Sequence, residues 1–443
     1  MDRRELLIGS ALLALVAACR SGERATDGDG TAAADEIRSR LSRQPGGGST
    51  DLAVRAVNGL GATLYRSVAS SQPTVNAVLS PTTIAIALAM TREGAAGVTA
   101  AEIDRLLQIV DPASLPPAMN ALDQALASRS GTRPDGAGRP IEVVLDVAGS
   151  LWGQQGLVWS PTFVDDLAAQ YAAGLRVTDF AADPDGARET INAWVRDRTD
   201  GRVQQLLSSS AVDDSSRLML VNAVHLEAPW LTPFDVKATV DSPFTRLDGS
   251  AVSVPTMRTS SQLAYASADG WQAVDLPYGG YGLTMTVLLP GAGRLAEVEG
   301  QVSPDLITTV VAGQALRPVE LGLPRWDTES SFTFDEALAA AGMPSAFDPA
   351  TADFSAMTAT VDGTAEDGSP LALAGVHHQA NLSVNEAGTE AAAATAVAAA
   401  TSAAPTGGPV TMLVDRPFLY FVRDVATGAV VFLGRVADPS SAA

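Results

Sequence analysis

The sequence predicts an α+β fold, in which a helix-rich first part is followed by a part dominated by strands. Two patterns lead to this prediction: apolar residues at helical spacing over residues 51–90, and β-branched or apolar runs between turn residues over much of 217–434. No composition break interrupts residues 51–439, and 46% of the 443 residues are apolar, enough for a sizeable core. We therefore expect one folded body over residues 51–443.

The predicted helices begin early in this body. Residues 51–70 and 84–90 carry apolar side chains at helical spacing, and Pro81 stands where a helix would start. Thr99 and Glu102 precede a further apolar run in the spacing of a capping box, which predicts another helix start there.

Strands and helices alternate in the middle of the chain, and strands dominate later. Residues 141–147 are rich in β-branched and apolar side chains, which predicts a strand, and 191–196 are predicted as a helix that ends near Gly201. Further strands are predicted over residues 217–226, 283–290 and 429–434.

The charge balance and the residue inventory argue against several classes of function. Acidic residues outnumber basic ones by 50 to 29, and no run of Lys or Arg could follow a phosphate backbone, so nucleic acid is not an expected partner. One cysteine and three histidines are too few for a disulfide framework or for most zinc hydrolases, and no nucleophile elbow or P-loop occurs. We expect no enzyme activity, no metal and no other cofactor.

The first 18 residues have the pattern of a secretory signal peptide. Arg3 and Arg4 precede an apolar stretch of about a dozen residues, shorter than the roughly 20 that span a bilayer as a helix. The following residues, Val16 to Cys19, resemble a bacterial lipobox, in which the cysteine is diacylated and becomes the new N-terminus. A plain signal peptide with an incidental cysteine is the alternative.

The localisation follows from these N-terminal features. The Arg3-Arg4 pair is compatible with twin-arginine export as well as with the general secretory route. Residues 19–50 show little hydrophobic periodicity and are predicted to be the lipidated cysteine and a flexible tether. We expect an exported protein that is lipid-anchored at the outer face of the cell membrane, or one that is secreted.

One segment fits neither a linker nor a surface helix. Residues 386–405 form a long Ala/Thr tract between two strand-like runs. A linker would carry more Gly, Ser or charge, and a surface helix would need an apolar stripe and a polar face. A low-complexity loop and an Ala-rich helix both remain open on composition alone.

A series of motifs, in order along residues 51–439, resembles the serpin family. They are NAVLSPTTIAIALAM at 76–90, LVNAVHLEAPWLTPFD at 220–235, DLPY at 275–278, LPRW at 323–326, ADFS at 352–355, NEAGTEAAAAT at 385–395, DRPFLYFVRD at 415–424 and FLGRVADP at 432–439. The resemblance implies a fold of three β-sheets and eight or nine helices, with an exposed reactive-centre loop between two strands.

The resemblance also implies a mechanism. Inhibitory serpins are suicide substrates of serine proteases and sometimes of cysteine proteases. The protease attacks the loop and forms an acyl-enzyme, and the cleaved loop then inserts into the large sheet as a new strand. Insertion carries the protease along and distorts its active site.

The Ala/Thr tract then corresponds to the reactive-centre loop. The family spacing places the reactive bond between Ser402 and Ala403, fourteen residues after Gly388, with a shift of one or two residues left open. The implied hinge comprises Glu386, Gly388, Thr389, Glu390, Ala391, Ala392, Ala393, Ala394 and Thr395.

Successive side chains of a strand point to opposite faces, so the hinge sequence predicts which of its side chains point inward. Glu390 is predicted to point outward to solvent, and the residues predicted to point into the protein are Thr389, Ala391, Ala393, Thr395 and Val397. Small inward side chains suit a segment that is first a solvated loop and later a central strand.

Other residues take their expected roles from the family. Ser80, Thr83, Asn222 and His378 match the shutter, a polar group under the large sheet, and Thr83 keeps the hydroxyl of the usual serine. Trp230 matches the breach at the top of that sheet. No metal site is expected at the remaining histidines.

The leading functional prediction is a monomeric serine protease inhibitor that touches the membrane only through its lipid. No Arg or Lys lies between Glu386 and Asp415, so trypsin-like targets are not expected, whereas elastase-like or subtilisin-like proteases accept small residues. The first alternative is a non-inhibitory serpin that serves as a cell-surface binding or storage protein. A solute-binding lipoprotein, for which the motif match would be coincidence, is the second.

Overall fold

The computed structural model describes residues 35–199, 201, 203–359, 371–390 and 408–441. Within these ranges the chain forms nine α-helices and seventeen strands, which confirms the α+β prediction. The helices are α1 Asp51–Ser71, α2 Pro81–Glu93, α3 Gly97–Leu106, α4 Leu115–Ala127, α5 Pro161–Tyr171, α6 Pro184–Arg198, α7 Leu295–Gly300, α8 Pro304–Ala312 and α9 Asp335–Ala340.

The strands are concentrated in the second half of the chain, as the sequence pattern predicts. They are β1 Asp35–Ile37, β2 Ala77–Leu79, β3 Gly131–Pro134, β4 Pro140–Gln154, β5 Leu175–Thr178, β6 Leu218–Pro229, β7 Val240–Thr245, β8 Ala251–Ala268, β9 Trp271–Pro277, β10 Leu283–Pro290, β11 Ala315–Pro324, β12 Trp326–Thr333, β13 Leu373–Val384, β14 Gly388–Thr389, β15 Val410–Leu413, β16 Phe418–Asp424 and β17 Val430–Val436. Among the described helices, none is long and apolar enough to cross a membrane.

Four helices start with the same local signal, a serine or aspartate followed by proline. The side chain of the first residue accepts a hydrogen bond from the backbone N–H three residues later, and the proline needs no hydrogen-bond partner for its nitrogen. These capping residues are Ser80 of α2, Ser160 of α5, Asp183 of α6 and Ser303 of α8. The predicted start of α2 at Pro81 is confirmed.

The capping box predicted at Thr99 and Glu102 is wrong. Helix α3 begins at Gly97, and both residues lie inside it. The Thr99 hydroxyl accepts a hydrogen bond from the backbone N–H of Asp353 at 2.9 Å, and the Glu102 carboxylate accepts one from the N–H of Ser345 at 2.9 Å. Their oxygens therefore bind a distant part of the chain instead of the helix start.

Hydrogen bonds join the described strands into two networks. The first network has the strand order β1-β5-β4-β6-β14-β13-β12, with β3 paired to β4. We call it the large sheet, because it contains the hinge and corresponds to the large sheet that the resemblance implies. The second network has the order β15-β11-β8-β9-β10-β16-β17-β2, with β7 paired to β8. The 18-residue strand β8 pairs with β7, β9 and β11, and it thereby connects strands that would otherwise form separate sheets.

Strand β6 is buried on both faces at the centre of the large sheet. Side chains alternate between faces along a strand, and here each face packs on a different cluster. One face, which we call the core face, joins the main hydrophobic core through Leu218, Leu220, Val224, Leu226 and Ala228. The other, the α6 face, packs under helix α6 through Met219, Val221 and Ala223.

Residues 35–46 are bound to the folded body, so the predicted tether is wrong for this part of the chain. Strand β1 pairs antiparallel with β5 at the edge of the large sheet. The Glu36 carboxylate lies 3.2 Å from the Arg176 guanidinium, and Arg43 donates to the Asn120 side chain at 2.7 Å. These contacts are polar, which explains why hydrophobic periodicity did not predict them. Residues 1–34, including the predicted signal peptide and Cys19, lie outside the described residues.

Two neighbouring histidines occupy opposite faces of β13, and both are buried. His378 is on the core face, where the backbone N–H of Ser80 donates to its Nε2 at 3.0 Å. His377 is on the α6 face, with its Nδ1 3.2 Å from the Thr333 hydroxyl. Burial lowers the pKa of His378 to about 3 and that of His377 to about 4. Both imidazoles are therefore neutral at physiological pH.

These low pKa values predict a loss of stability in mild acid. A histidine in the unfolded chain has a pKa near 6.5, so below that pH the unfolded chain binds a proton that the native chain excludes. The stabilisation is complete above about pH 6.5 and is lost as the pH falls toward the native pKa. At pH 5 we expect His378 to cost roughly 2 kcal/mol of the free energy of unfolding.

The measurement compares thermal melting of the protein and of a His378→Gln variant at pH 7 and pH 5. Glu93 acts in the opposite sense, because burial raises its pKa to about 7 and the native chain takes up a proton there on acidification. The difference between the two proteins removes this contribution. We expect the variant to lose less stability than the unchanged protein, and equal losses would contradict the prediction.

Candidate functional site

In the large sheet, β6 and β13 are direct neighbours at one end and are separated by a third strand at the other. Strands β6 and β13 pair directly, as parallel neighbours, from Leu218 to Val224 of β6. Beyond this point they separate, and β14 lies between them. Gly388 and Thr389 pair antiparallel with Pro229 and Ala228 of β6, and Thr389 also pairs with β13. These two residues of the predicted hinge therefore already occupy a strand position inside the sheet.

Gly388 is required at this entry point. Its φ of +156° is rarely adopted by residues with a side chain, and a Cβ atom at this position would lie 2.2 Å from the carbonyl oxygen of Ala228. Any side chain at 388 would push the hinge away from β6.

Thr389 is fully buried on the core face. Its hydroxyl lies 2.5 Å from the hydroxyl of Tyr278. The Tyr278 ring stacks on the Trp230 ring, with centroids 4.5 Å apart and an interplanar angle of 12°. Burial raises the pKa of Tyr278, so its hydroxyl keeps its proton and can share it with Thr389. The buried position of Thr389 thus accommodates a small side chain whose hydroxyl contacts the hydroxyl of Tyr278.

Residues 385–387, where the hinge begins, are hydrogen-bonded to the segment that follows β6. Trp230 donates its indole N–H to the carbonyl of Asn385 at 2.9 Å and its backbone N–H to the carbonyl of Ala387 at 2.8 Å. The backbone N–H of Phe234 donates to the carbonyl of Glu386 at 2.9 Å. Trp230, predicted to be in the breach, lies at the end of the sheet where the hinge enters.

Glu386 forms an ion pair with Arg325. Its carboxylate accepts a hydrogen bond from Arg325 Nε at 2.8 Å and another from the Thr239 hydroxyl. Burial raises the pKa of the Glu386 carboxyl, but these hydrogen bonds outweigh burial and lower it overall. The partners Arg325 and Thr239 were missed by the sequence analysis, although Arg325 belongs to the LPRW motif.

Glu390 does not point to solvent as the alternation predicts. It lies on the α6 face, away from the core, but only 2% of its side chain is exposed. Its Oε2 is 3.2 Å from Nδ1 of His225, whose side chain is 5% exposed. The face is therefore predicted correctly and the exposure wrongly, because alternation says nothing about what covers that face. Its φ of +51° turns the chain out of the strand direction.

The predicted shutter residues meet below the hinge, where β6 and β13 still pair directly. Ser80, Thr83, Asn222 and His378 are all fully buried. The Ser80 hydroxyl accepts a hydrogen bond from the Thr83 N–H at 3.4 Å, and His378 lies opposite Asn222 in the β13–β6 register. Within the described ranges, the Asn222 amide group and Nδ1 of His378 have no hydrogen-bond partner.

The rest of the predicted loop lies outside the described residues. This applies to Ala391, Ala392, Ala393, Ala394 and Thr395 of the hinge and to the reactive bond at Ser402 and Ala403, all of which stay predictions. Beyond the loop, β15 pairs parallel with β11. The undescribed segment thus connects a strand position inside the large sheet with an edge of the second network.

Comparisons with known proteins agree with this architecture. The family model for "Serpin (serine protease inhibitor)" matches residues 55–439. A serpin-like protein of Thermococcus kodakarensis is 30% identical over 445 residues and is aligned over 99% of each chain. Leukocyte elastase inhibitor A of Mus musculus is 30% identical, over 85% of this chain and 96% of its own. The crystal structure of the thermophilic serpin tengpin in the native state matches with a TM-score of 0.80 at 23% identity, over 92% of this chain and 100% of its own. The chain belongs to the serpin family.

Proposed function

We propose that this serpin inhibits serine proteases as a suicide substrate, by cleavage of its loop and insertion of that loop between β6 and β13. The observation that carries the proposal is β14, two residues of the hinge that occupy the strand position between β6 and β13. The non-inhibitory alternative gives no reason for an Ala-rich hinge that starts inside the sheet. The inhibitor is taken to act as a monomer whose partner is the target protease.

The energetics favour insertion once the loop is cut. About a dozen new ladder hydrogen bonds, at roughly 1 kcal/mol each, contribute on the order of 10 kcal/mol. The small side chains predicted to point inward add little steric resistance. The protease remains attached through an ester between its serine and the new C-terminus, and trapping requires that insertion be faster than hydrolysis of that ester.

The target class follows from the residues at the predicted reactive bond. Ser402 and Ala403 are small and uncharged, which suits shallow or broad protease pockets of the elastase or subtilisin kind. The murine relative is named for inhibition of leukocyte elastase, and this name is compatible with the same target class.

The first prediction for this function is a covalent complex. Residues 20–443, incubated with elastase or subtilisin, should give a species that survives boiling in detergent, together with a fragment that starts near Ala403. Trypsin should give none through this loop. Ser402→Arg should recruit trypsin, because its pocket binds a basic side chain, whereas Ser250→Arg, on an exposed turn, should not.

Denaturing gels and the mass of the released fragment provide the measurement. Cleaved protein should also melt well above intact protein, because insertion completes the sheet. If no protease forms a complex and cleavage between residues 400 and 403 leaves the melting temperature unchanged, the non-inhibitory alternative replaces this proposal.

The second prediction concerns the buried hinge residue. Thr389→Arg would place a charge at a fully buried position next to Tyr278, and burial of an unpaired charge there costs several kcal/mol. Insertion should slow, so the variant should be cleaved as a substrate and the number of inhibitor molecules consumed per protease should rise. Thr389→Ser keeps the hydroxyl and should behave like the unchanged protein. An Arg variant with unchanged stoichiometry would argue against insertion through this position.

We also propose that Cys19 carries a lipid that anchors the protein at the outer face of the membrane. The support is the sequence of residues 16–19 and the position of the chain's one cysteine. The alternative, a cleaved signal peptide without lipid, would leave a secreted protein.

Fractionation of cells that express the full chain tests the anchor. The unchanged protein should sediment with membranes and dissolve in detergent, whereas Cys19→Ala should appear in the soluble or secreted fraction. Ser21→Ala, two residues away, should leave the anchoring intact. Firm membrane association of the Cys19→Ala protein would rule out the lipid.

A further inference from the structure

The contact between His225 and Glu390 lies where the large sheet divides. Direct pairing of β6 with β13 ends at Val224, so His225 is the first residue of β6 beyond it. Glu390 is the first residue after β14. The two side chains meet at 3.2 Å, and each is more than nine-tenths buried.

Two further carboxylates lie on the same face close to this contact. Asp146 of β4 is directly opposite His225 in the sheet register. Glu227 is two residues from His225 along β6 and therefore on the same face. Both residues are half-buried. Together with Glu390, this places three carboxylates on the face of the sheet where His225 lies.

Insertion of the loop brings two of these carboxylates into direct opposition. Gly388 pairs with Pro229 and Thr389 with Ala228, so continued antiparallel pairing places Glu390 opposite Glu227. Like charges at directly opposed positions of neighbouring strands destabilise the pairing. Glu390 is also the one charged residue between 387 and 414, so it is the one charge that the loop must bring into the sheet.

The backbone conformation of Glu390 marks the end of the strand pairing of the hinge. Its φ of +51° is sparsely occupied by residues with side chains. Its N–H still donates to the carbonyl of Ser383 on β13 at 2.9 Å, in register with β14. To continue as a strand, Glu390 must become extended while its carboxylate stays on the α6 face.

We propose that His225 is a positioning residue for loop insertion, whose imidazole offsets the repulsion that Glu390 meets from Glu227. This inference rests on the proposed inhibitory function and extends it to a residue that the sequence analysis left without a role. His225 is adjacent to Glu390 before insertion and diagonal to its position after insertion. It therefore lowers the electrostatic barrier along the whole entry step.

A double-mutant cycle separates this electrostatic role from simple packing. The four proteins are the unchanged chain, His225→Phe, Glu390→Gln and the double variant, each incubated with the same elastase. We expect His225→Phe to slow insertion about tenfold, within the usual range of coupling between buried contacting groups. The same change in the Glu390→Gln background should have little effect, because no charge then enters the sheet.

The rate is followed by stopped-flow fluorescence, and the partition between complex and cleaved inhibitor by denaturing gels. His377→Phe is the matched control, since His377 is a buried histidine on the α6 face that contacts Thr333 instead of the hinge. That variant should insert at the unchanged rate. If His225→Phe slows insertion equally in both backgrounds, the imidazole acts by packing alone and the proposal is overturned.

Hydrogen exchange of the intact proteins provides a readout that needs no protease. The N–H groups of Asn385 and Glu390, bonded to the carbonyls of Gly388 and Ser383, report whether the hinge is in the sheet. We expect faster exchange in His225→Phe than in the other three proteins. If the unchanged chain traps no protease, the inhibitory function fails and the exchange cycle alone decides on His225. If it traps protease but neither cycle shows coupling, the His225 inference fails alone.

Discussion

The structure depends on a competition for the inner edges of β6 and β13. Below the hinge these strands pair with each other in parallel, and above it each pairs with β14. A given residue of β6 can pair on this side either with β13 or with β14, but not with both. A longer inserted segment would replace one parallel ladder by two antiparallel ladders, and antiparallel pairing is the slightly more stable per residue. In the proposed mechanism, the backbone gains hydrogen bonds with each step of insertion, and the covalent attachment of the loop to β15 prevents insertion until the loop is cleaved.

The side chains where β6 and β13 separate determine which loop sequences can insert and form these hydrogen bonds. Gly388 allows close approach to the Ala228 carbonyl, and the Thr389 hydroxyl contacts Tyr278, whose ring stacks on Trp230. Further down, Asn222 and His378 face each other across the paired strands with polar atoms that lack hydrogen-bond partners in the described part of the chain. Unpartnered buried polar atoms are unfavourable. Parting of the strands here therefore breaks no side-chain hydrogen bond at those atoms.

Local patterns predicted the parts of the fold that depend on local physics. The Ser80–Pro81 start of α2 needs only neighbouring residues, and it was predicted correctly. Thr99 and Glu102 carry the same kind of pattern, but distant backbone N–H groups bind their oxygens. Residues 35–46 attach by polar contacts to elements far along the chain, and no periodicity signals such contacts. The sequence motifs of the family placed Trp230 and Glu386, whereas the Arg325 partner of Glu386 required the fold.

His225 shows most clearly what sequence alone could not provide. Its surroundings come from three separate segments: Asp146 on β4, Glu227 on β6 and Glu390 beyond β13. Only the registers of those strands bring the charges together, and a shift of one residue would move each side chain to the other face. The alternation that correctly assigned Glu390 to the face away from the core therefore predicted its direction but not its neighbours. A single charged residue in an otherwise uncharged loop can enter a sheet when a polar side chain of the neighbouring strand lies close to it before and after insertion. His225 of β6 is in that position relative to Glu390.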